Sequence, residues 1–172
     1  MDCRRADKRL SDIRTRSQKR HGMDQFDRRI LALVQRNCQL KTETIAEEIG
    51  LSASAVQRRL RALRANGTIA AEVAVVQPRA GMTFIAGLEI ARDSYEALDR
   101  LRHWAEGHDN IQQLYYVTGG VDLIAVVLAR DAEDYDAITA AMMRDNPMIE
   151  RITTNVVLRP MKVGLYRPID ET

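Results

Sequence analysis

The sequence predicts an α+β protein with two domains, and three observations support this fold class. Two amphipathic segments flank Gly50, a residue that readily adopts a left-handed backbone, and this pattern is typical of two helices joined by a tight turn. The chain beyond residue 81 alternates strand-like and helix-like segments in the order βαββαβ. Charge also divides the chain, because residues 1–22 hold eight Lys and Arg against three Asp and Glu, whereas residues 77–172 hold ten against fifteen.

Residues 1–22 are rich in Arg and Lys and show no apolar period. Two interpretations remain open for this basic leader. It is either a disordered segment before a domain that begins at Met23, or a basic arm that adds phosphate contacts without adding sequence choice.

Residues 23–77 are predicted to form a winged helix-turn-helix domain. Asp24 and Ser52 are suitable N-cap residues for the first and third helices. Apolar residues at helical spacing are expected to face one core: Phe26, Ile30, Leu31 and Val34, then Ile45, Ala46 and Ile49, and finally Val56, Leu60 and Leu63. The β-branched residues that follow predict a strand and linker over 70–77, with the domain boundary near residues 78–81.

The outward face of the third helix carries hydrogen-bond donors and cations. With the apolar positions turned inward, Ser54, Gln57, Arg58 and Arg61 point away from the core. Such a helix suits the major groove of DNA, where Gln pairs with adenine and Arg with guanine through two hydrogen bonds each. The alternative for any one of these residues is a solvated helix face or a contact to phosphate alone.

Residues 78–160 are predicted to form a ferredoxin-like domain, and residues 161–172 a C-terminal tail. The predicted strands are 83–90, 111–117, 123–129 and 151–158, and the predicted helices are 94–106 and 132–144. The βαββαβ order places both helices on one face of an open four-stranded sheet. Because the other face needs a cover, and a second copy of the sheet is the simplest one, the sequence predicts a homodimer.

Several classes of protein are excluded or disfavoured by what the sequence lacks. Two cysteines, Cys3 and Cys38, make no disulfide framework and no metal-spaced pair, which indicates a reducing, cytoplasmic setting. No apolar run is long enough to span a bilayer. There is no phosphate-binding glycine loop, no HExxH or CxxC motif and no serine nucleophile elbow, so we expect no catalytic residues, no metal, no cofactor and no enzymatic activity.

Four stretches, at this order and spacing, resemble the Lrp/AsnC (feast/famine) family of prokaryotic transcriptional regulators. They are DRRIL, IAEEIGLSASAVQRRLRALRANGTI, VTGGVDLI and TTNVVL, and the resemblance covers about residues 23–160. It implies an N-terminal domain that binds double-stranded DNA. It also implies a C-terminal domain that forms dimers or higher oligomers and, in many members, binds an amino acid between subunits.

The resemblance also implies site residues. The family's recognition helix matches 52–63, which adds Ser52 and Arg59 to the DNA-binding set. Its effector-loop pattern matches Gly119 to Asp122, and the implied ligand site consists of Thr118, Gly119, Gly120, Asp122 and Thr154. Glycines free backbone amides to approach a ligand and Asp122 suits an ammonium group, whereas a plain hairpin turn with a solvent-facing Asp is the alternative. Relatives often carry a hydroxyl where this chain has Ile152.

Two other functions remain as alternatives. Some proteins that resemble this family are sirohaem decarboxylases, which work with histidines of the second half, and this chain has His103 and His108 there. The cationic third helix has no evident task in such an enzyme. A sensor module that has lost DNA binding is the second alternative, and salt-dependent binding to duplex DNA would separate it from a regulator.

Overall fold

The computed structural model describes residues 22–76, 80–91 and 95–169, so the basic leader lies almost wholly outside the described residues. The chain divides into two compact units. The first consists of Met1–Val75 together with Val163–Thr172, and the second of Val76–Lys162. The C-terminal residues, which the sequence predicts as a separate tail, therefore group with the first unit. Among the described residues, no helix is both long and apolar enough to cross a membrane.

The described residues of the first unit form three helices: α1 (Gln25–Val34), α2 (Thr42–Ile49) and α3 (Ala53–Ala65). The Asp24 carboxylate accepts the Asp27 amide at 2.9 Å, and the Ser52 hydroxyl accepts the Ala55 amide at 3.2 Å, so both predicted N-caps are confirmed. Gly50 ends α2 with φ of 74°, which confirms the predicted left-handed turn.

The core of the first unit consists of the residues that recur at helical spacing. Its buried members are Ile30, Leu31, Ile45, Ala46, Ile49, Val56, Leu60 and Leu63. Each large apolar side chain of this kind contributes about 1.5–3 kcal/mol when fully buried. Phe26 and Val34, also predicted to face the core, are only half-buried. The three buried residues of α3 fix its rotation and so determine which side chains face solvent.

The strand predicted over residues 70–77 is wrong for the single chain, since residues 70–76 adopt no regular secondary structure. A strand requires a neighbouring strand to pair its backbone groups. Val73, Val75 and Val76 are instead 64%, 76% and 78% exposed. The β-branched residues favour an extended backbone. Within the described residues, however, no strand of the same chain pairs with this segment.

The described residues of the second unit form six elements in the predicted βαββαβ order. They are β1 (Met82–Ile90), α4 (Tyr95–Glu106), β2 (Ile111–Tyr116), β3 (Leu123–Ala129), α5 (Ala132–Asp145) and β4 (Ile149–Val156). The sheet has the strand order β2-β3-β1-β4, and all neighbours are antiparallel. The predicted fold class is therefore confirmed, with strand ends displaced by up to two residues.

One face of the sheet is covered by the helices and the other is open. On β1, Phe84, Ala86 and Leu88 are buried in the core that includes Leu101 of α4 and Met142 of α5. The alternate residues point to the opposite face because successive side chains of a strand alternate. That open face is apolar at its centre, where Ile85 pairs with Val126 and remains 39% exposed, and Tyr115 of β2 is 51% exposed.

Candidate nucleic-acid interface and ligand loop

The outward face of α3 carries several cationic side chains. Gln57, Arg58 and Arg61 are exposed, and within the described residues none of their side chains makes a hydrogen bond or ion pair. Ser54 is also exposed, and its hydroxyl lies 3.1 Å from that of Ser52, the N-cap residue. Four of the six predicted DNA-binding residues thus share one accessible helix face, with Ser52 at its N-terminal end.

Arg59 lies apart from that face and forms ion pairs within the first unit, so its predicted contact to DNA stays a prediction that these pairs disfavour. Its Nη1 atom lies 2.7 Å from Asp24 Oδ2 and 2.8 Å from Asp27 Oδ1. The guanidinium also lies 5.5 Å from the centre of the Phe26 ring. We call Arg59, Asp24 and Asp27 the α1–α3 clamp. With one cation against two carboxylates it carries net negative charge, which does not favour phosphate.

Two members of the clamp, Asp24 and Arg59, have pKa values shifted in the direction that favours their charged forms. The hydrogen bond from the Asp27 backbone amide, followed by the hydrogen bond from the Arg59 guanidinium, lowers the pKa of Asp24. The hydrogen bond to the Asp27 carboxylate, followed by the one to Asp24, raises the pKa of Arg59. The same two aspartates form the capping box of α1, so the clamp fastens the middle of α3 to the first turn of α1.

A second contact that the sequence does not reveal supports the turn between α2 and α3. Arg29 of α1 donates to the Glu48 carbonyl at 2.9 Å and to the Ile49 carbonyl at 3.4 Å. A cation at the last carbonyls of a helix satisfies orphan acceptors and complements the helix dipole. Arg29 and the clamp thus connect α1 both to the turn before α3 and to the middle of α3.

The predicted ligand loop connects β2 to β3. Gly119 has φ of 134°, a backbone conformation that L side chains rarely adopt. The Val117 amide donates to the Asp122 carbonyl at 2.9 Å and closes the hairpin. The Asp122 Oδ2 atom accepts the Ile90 amide at 2.9 Å, which ties the loop to the end of β1. Asp122 therefore stabilises the hairpin, and its second carboxylate oxygen remains available to a ligand donor.

Gly87, for which the sequence predicted no role, lets this loop approach the open face of the sheet. A Cβ atom at Gly87 would lie 3.0 Å from Val121 Cγ1, closer than packed atoms normally come. The only sequence signal is a glycine inside a strand, which often marks a close approach of this kind.

Thr154 lies apart from the other predicted ligand residues within one chain. It is paired with Ala86 on β4, and its hydroxyl lies 2.7 Å from the Tyr135 hydroxyl on the helix-covered side of the sheet. Asp122 lies on the far side of β1, beyond Leu88. Strand spacing and rise separate the two residues by about 14 Å. Thr118, Gly119, Gly120 and Asp122 are brought together, whereas Thr154 is not, because β1 lies between β3 and β4.

The histidines on which the enzyme alternative depends are engaged with backbone carbonyls. His103 Nδ1 lies 2.7 Å from the Asp99 carbonyl oxygen, and His108 Nδ1 lies 2.6 Å from that of Trp104. The His108 ring also stacks on the Trp104 ring at 3.8 Å. In the part of the chain that the structure describes, no three His, Cys, Asp or Glu side chains are arranged to hold a metal ion.

Comparison with known families matches both units. Residues 23–64 match the AsnC-type helix-turn-helix domain, and residues 83–165 match the Lrp/AsnC ligand binding domain. A relative in Sinorhizobium fredii, an HTH-type transcriptional regulator, is 34% identical over 151 residues, which cover 86% of this chain and 89% of the relative.

Solved structures show the same architecture. An AsnC family transcriptional regulator from Agrobacterium tumefaciens has a TM-score of 0.76 at 26% identity, covering 85% of this chain and 97% of that one. A transcriptional regulator of Neisseria meningitidis, solved as a complex with L-Met, has a TM-score of 0.75 at 19% identity, covering 85% of this chain and 96% of that one. The second likeness concerns the fold alone.

Proposed function

Because this chain belongs to the Lrp/AsnC family of DNA-binding transcriptional regulators, we propose that it recognises its operators with the exposed face of α3. The observation that carries this proposal is that neighbouring arginines of α3 have different environments. Arg59 is turned inward into the clamp, whereas Arg58 and Arg61 face solvent without a partner among the described residues.

Base recognition is assigned to Gln57 and Arg58, which follow one another on the exposed face. In the major groove, Gln suits the adenine edge and Arg the guanine edge, and each well-formed pair is worth about 1–3 kcal/mol of discrimination. Arg61, Ser54 and Ser52 contribute phosphate or base contacts that fix the register of the helix. The clamp and Arg29 contribute indirectly, since they hold α3 in place before binding.

A homodimer formed through the open face of the second unit's sheet presents two copies of α3. A second sheet would cover the exposed Ile85 and Tyr115 side chains and the half-buried Val126. Two-fold symmetry then requires an inverted repeat in the operator, with half-sites separated by about one helical turn of 34 Å or a multiple of it.

An amino acid is the proposed effector of the β2–β3 loop. The free oxygen of Asp122 is suited to an ammonium group, and the backbone amides of Gly119 and Gly120 to a carboxylate. Support comes from the N. meningitidis regulator of the same fold, which was solved with L-Met. A ligand that binds two assembly states with different affinity shifts their populations and hence the occupancy of DNA in the cytoplasm.

The test is a mobility-shift titration on the DNA upstream of the protein's own gene, at two salt concentrations and with and without a pool of amino acids. We expect binding that resists nonspecific competitor DNA and weakens as salt rises. If nonspecific competitor removes operator binding at the same concentration at which it removes binding to unrelated DNA, operator recognition is contradicted. That result would favour the sensor module. A response to the pool that survives Asp122→Ala would place the effector elsewhere.

A further inference from the structure

The end of the chain returns to the helix-turn-helix unit and docks at the C-terminal end of α1. Gln35, the residue that caps α1, exchanges two hydrogen bonds with the backbone of Arg167. The Gln35 Nε2 group donates to the Arg167 carbonyl at 3.2 Å, and the Arg167 amide donates to Gln35 Oε1 at 2.8 Å. The side-chain amide of Gln35 thus pairs with Arg167 in the way that the backbone of an adjacent strand would. This pairing fixes the register of the C-terminal segment on the helix.

Two further contacts of different physical kind lie beside this pair. The Arg36 guanidinium lies 5.1 Å from the centre of the Tyr166 ring, within the range of a cation–π interaction. Ile169 is half-buried against the apolar core of the first unit. By contrast, Met161, Val163 and Leu165 are 81%, 81% and 69% exposed. Among the described residues, docking is therefore confined to 166–169, and residues 157–165 form the connection from the end of β4.

The helix-turn-helix unit is consequently attached to the rest of the chain at two places. One connection runs through Val75 and Val76, and the other through Lys162 and Val163. A domain held by one flexible linker samples a wide range of orientations, whereas a second attachment at a different point removes most of that freedom. Residues 157–165 span at most about 30 Å when fully extended, which sets the limit of this second connection.

We propose that residues 157–169 form a C-terminal tether that restricts the orientation of the helix-turn-helix unit and thereby makes the dimer selective for the spacing between operator half-sites. The proposal rests on operator recognition by α3 for its functional consequence. Its structural basis, the docking of residues 166–169 on α1, does not depend on DNA. A helix-turn-helix unit whose orientation is already restricted loses less conformational entropy when both copies of α3 bind one duplex. Operators with the preferred half-site spacing therefore bind more tightly than operators with other spacings.

The first experiment measures the docking in the full-length protein without DNA. Hydrogen exchange at the Arg167 amide reports the bond to Gln35 directly, because an amide bonded only to solvent exchanges at the rate of an unfolded chain. We expect protection of at least about tenfold in the wild type, and its loss in Gln35→Ala and Tyr166→Ala. The matched control, Gln39→Ala, changes an exposed glutamine of the same unit and should keep the protection. An unprotected Arg167 amide in the wild type would overturn the proposal.

The second experiment measures affinity for synthetic operators whose half-sites are moved apart by half a helical turn. The wild type and a variant that lacks only residues 170–172 should prefer the natural spacing by about tenfold or more, whereas a variant ending at Leu165 should retain only about threefold preference. An unchanged preference in the shorter variant would overturn the tether. If neither the wild type nor either truncated variant binds any operator, while the Arg167 amide of the wild type is still protected from exchange, operator recognition by α3 is contradicted. The role in half-site spacing, which rests on it, would fall as well.

Discussion

The same substitution at two neighbouring arginines of α3 is expected to lower stability at Arg59 and to leave it nearly unchanged at Arg58. Arg59→Met removes the guanidinium of the clamp but keeps an apolar stem beside Phe26, whereas Arg58→Met removes a cation with no partner among the described residues. The Arg59 and Asp27 side chains are only 25% and 19% exposed, so their ion pair is partly shielded, while Asp24 is 46% exposed. A shielded pair of about 1 kcal/mol and an exposed one of about 0.5 kcal/mol give a loss of about 1–2 kcal/mol.

This loss is measured by equilibrium unfolding in urea and by thermal unfolding, both followed through helical circular dichroism. For a unit of this size it corresponds to a decrease of about 5–10 °C in Tm, whereas Arg58→Met should change the free energy of unfolding by less than about 0.5 kcal/mol. A double-mutant cycle with Asp27→Asn should show that the effects of the two substitutions are not additive. Equal stability of Arg59→Met and Arg58→Met would refute the clamp, as would a loss of DNA affinity in Arg59→Met without loss of stability.

Three further predictions concern pH, the turn and the ligand loop. Since the pKa of Asp24 is lowered, its stabilisation is complete above the ordinary carboxyl pKa of 3.8 and is lost as the pH falls through the lowered value. The free energies of unfolding of wild type and Asp24→Asn, compared in urea, should therefore differ at about pH 7 and converge as the pH falls below 3.8. Gly50→Ala should cost about 1–2 kcal/mol in the same assay because φ is 74°, whereas Gly120→Ala, with ordinary φ and open space, should be nearly neutral; equal effects would contradict the left-handed turn. Asp122→Ala should lose about 1–2 kcal/mol of stability through the unpaired Ile90 amide, and no change in thermal unfolding would remove Asp122 from the hairpin.

Local signals predicted the framework of this fold well. Asp24, Ser52 and Gly50 act within a few residues of themselves, so their caps and turn follow from short-range chemistry. The strands of the second unit were equally predictable, because a short, continuous apolar run such as that of β3, preceded by the glycines of the ligand loop, is typical of a buried strand. These features determine which face of α3 is outward, and hence most of the candidate interface.

Long-range partners were not predictable, because no periodicity encodes which distant residues meet. Arg59 contacts aspartates more than thirty positions earlier in the chain, so its ion pairs were not predictable, and the family resemblance grouped it with the DNA-binding residues. Gln35 and Arg167 are 132 positions apart. Thr154 was grouped with the ligand loop by resemblance, but β1 lies between β3 and β4 and separates them within one chain. The segment 70–76 has strand-like composition without a strand to pair with, and composition cannot supply that partner.

The most direct test of operator recognition by α3 compares three full-length proteins on the same operator and on unrelated duplex DNA. They are the wild type, the double variant Gln57→Ala/Arg58→Ala, and the control Arg102→Ala, in which the lost cation belongs to α4 and pairs with Glu106. Loss of two base contacts should weaken operator binding by about 10- to 100-fold or more, with a much smaller change on unrelated DNA and unchanged thermal unfolding. The control should bind like the wild type. Operator affinity of the double variant within about twofold of the wild type would contradict recognition by this face of α3.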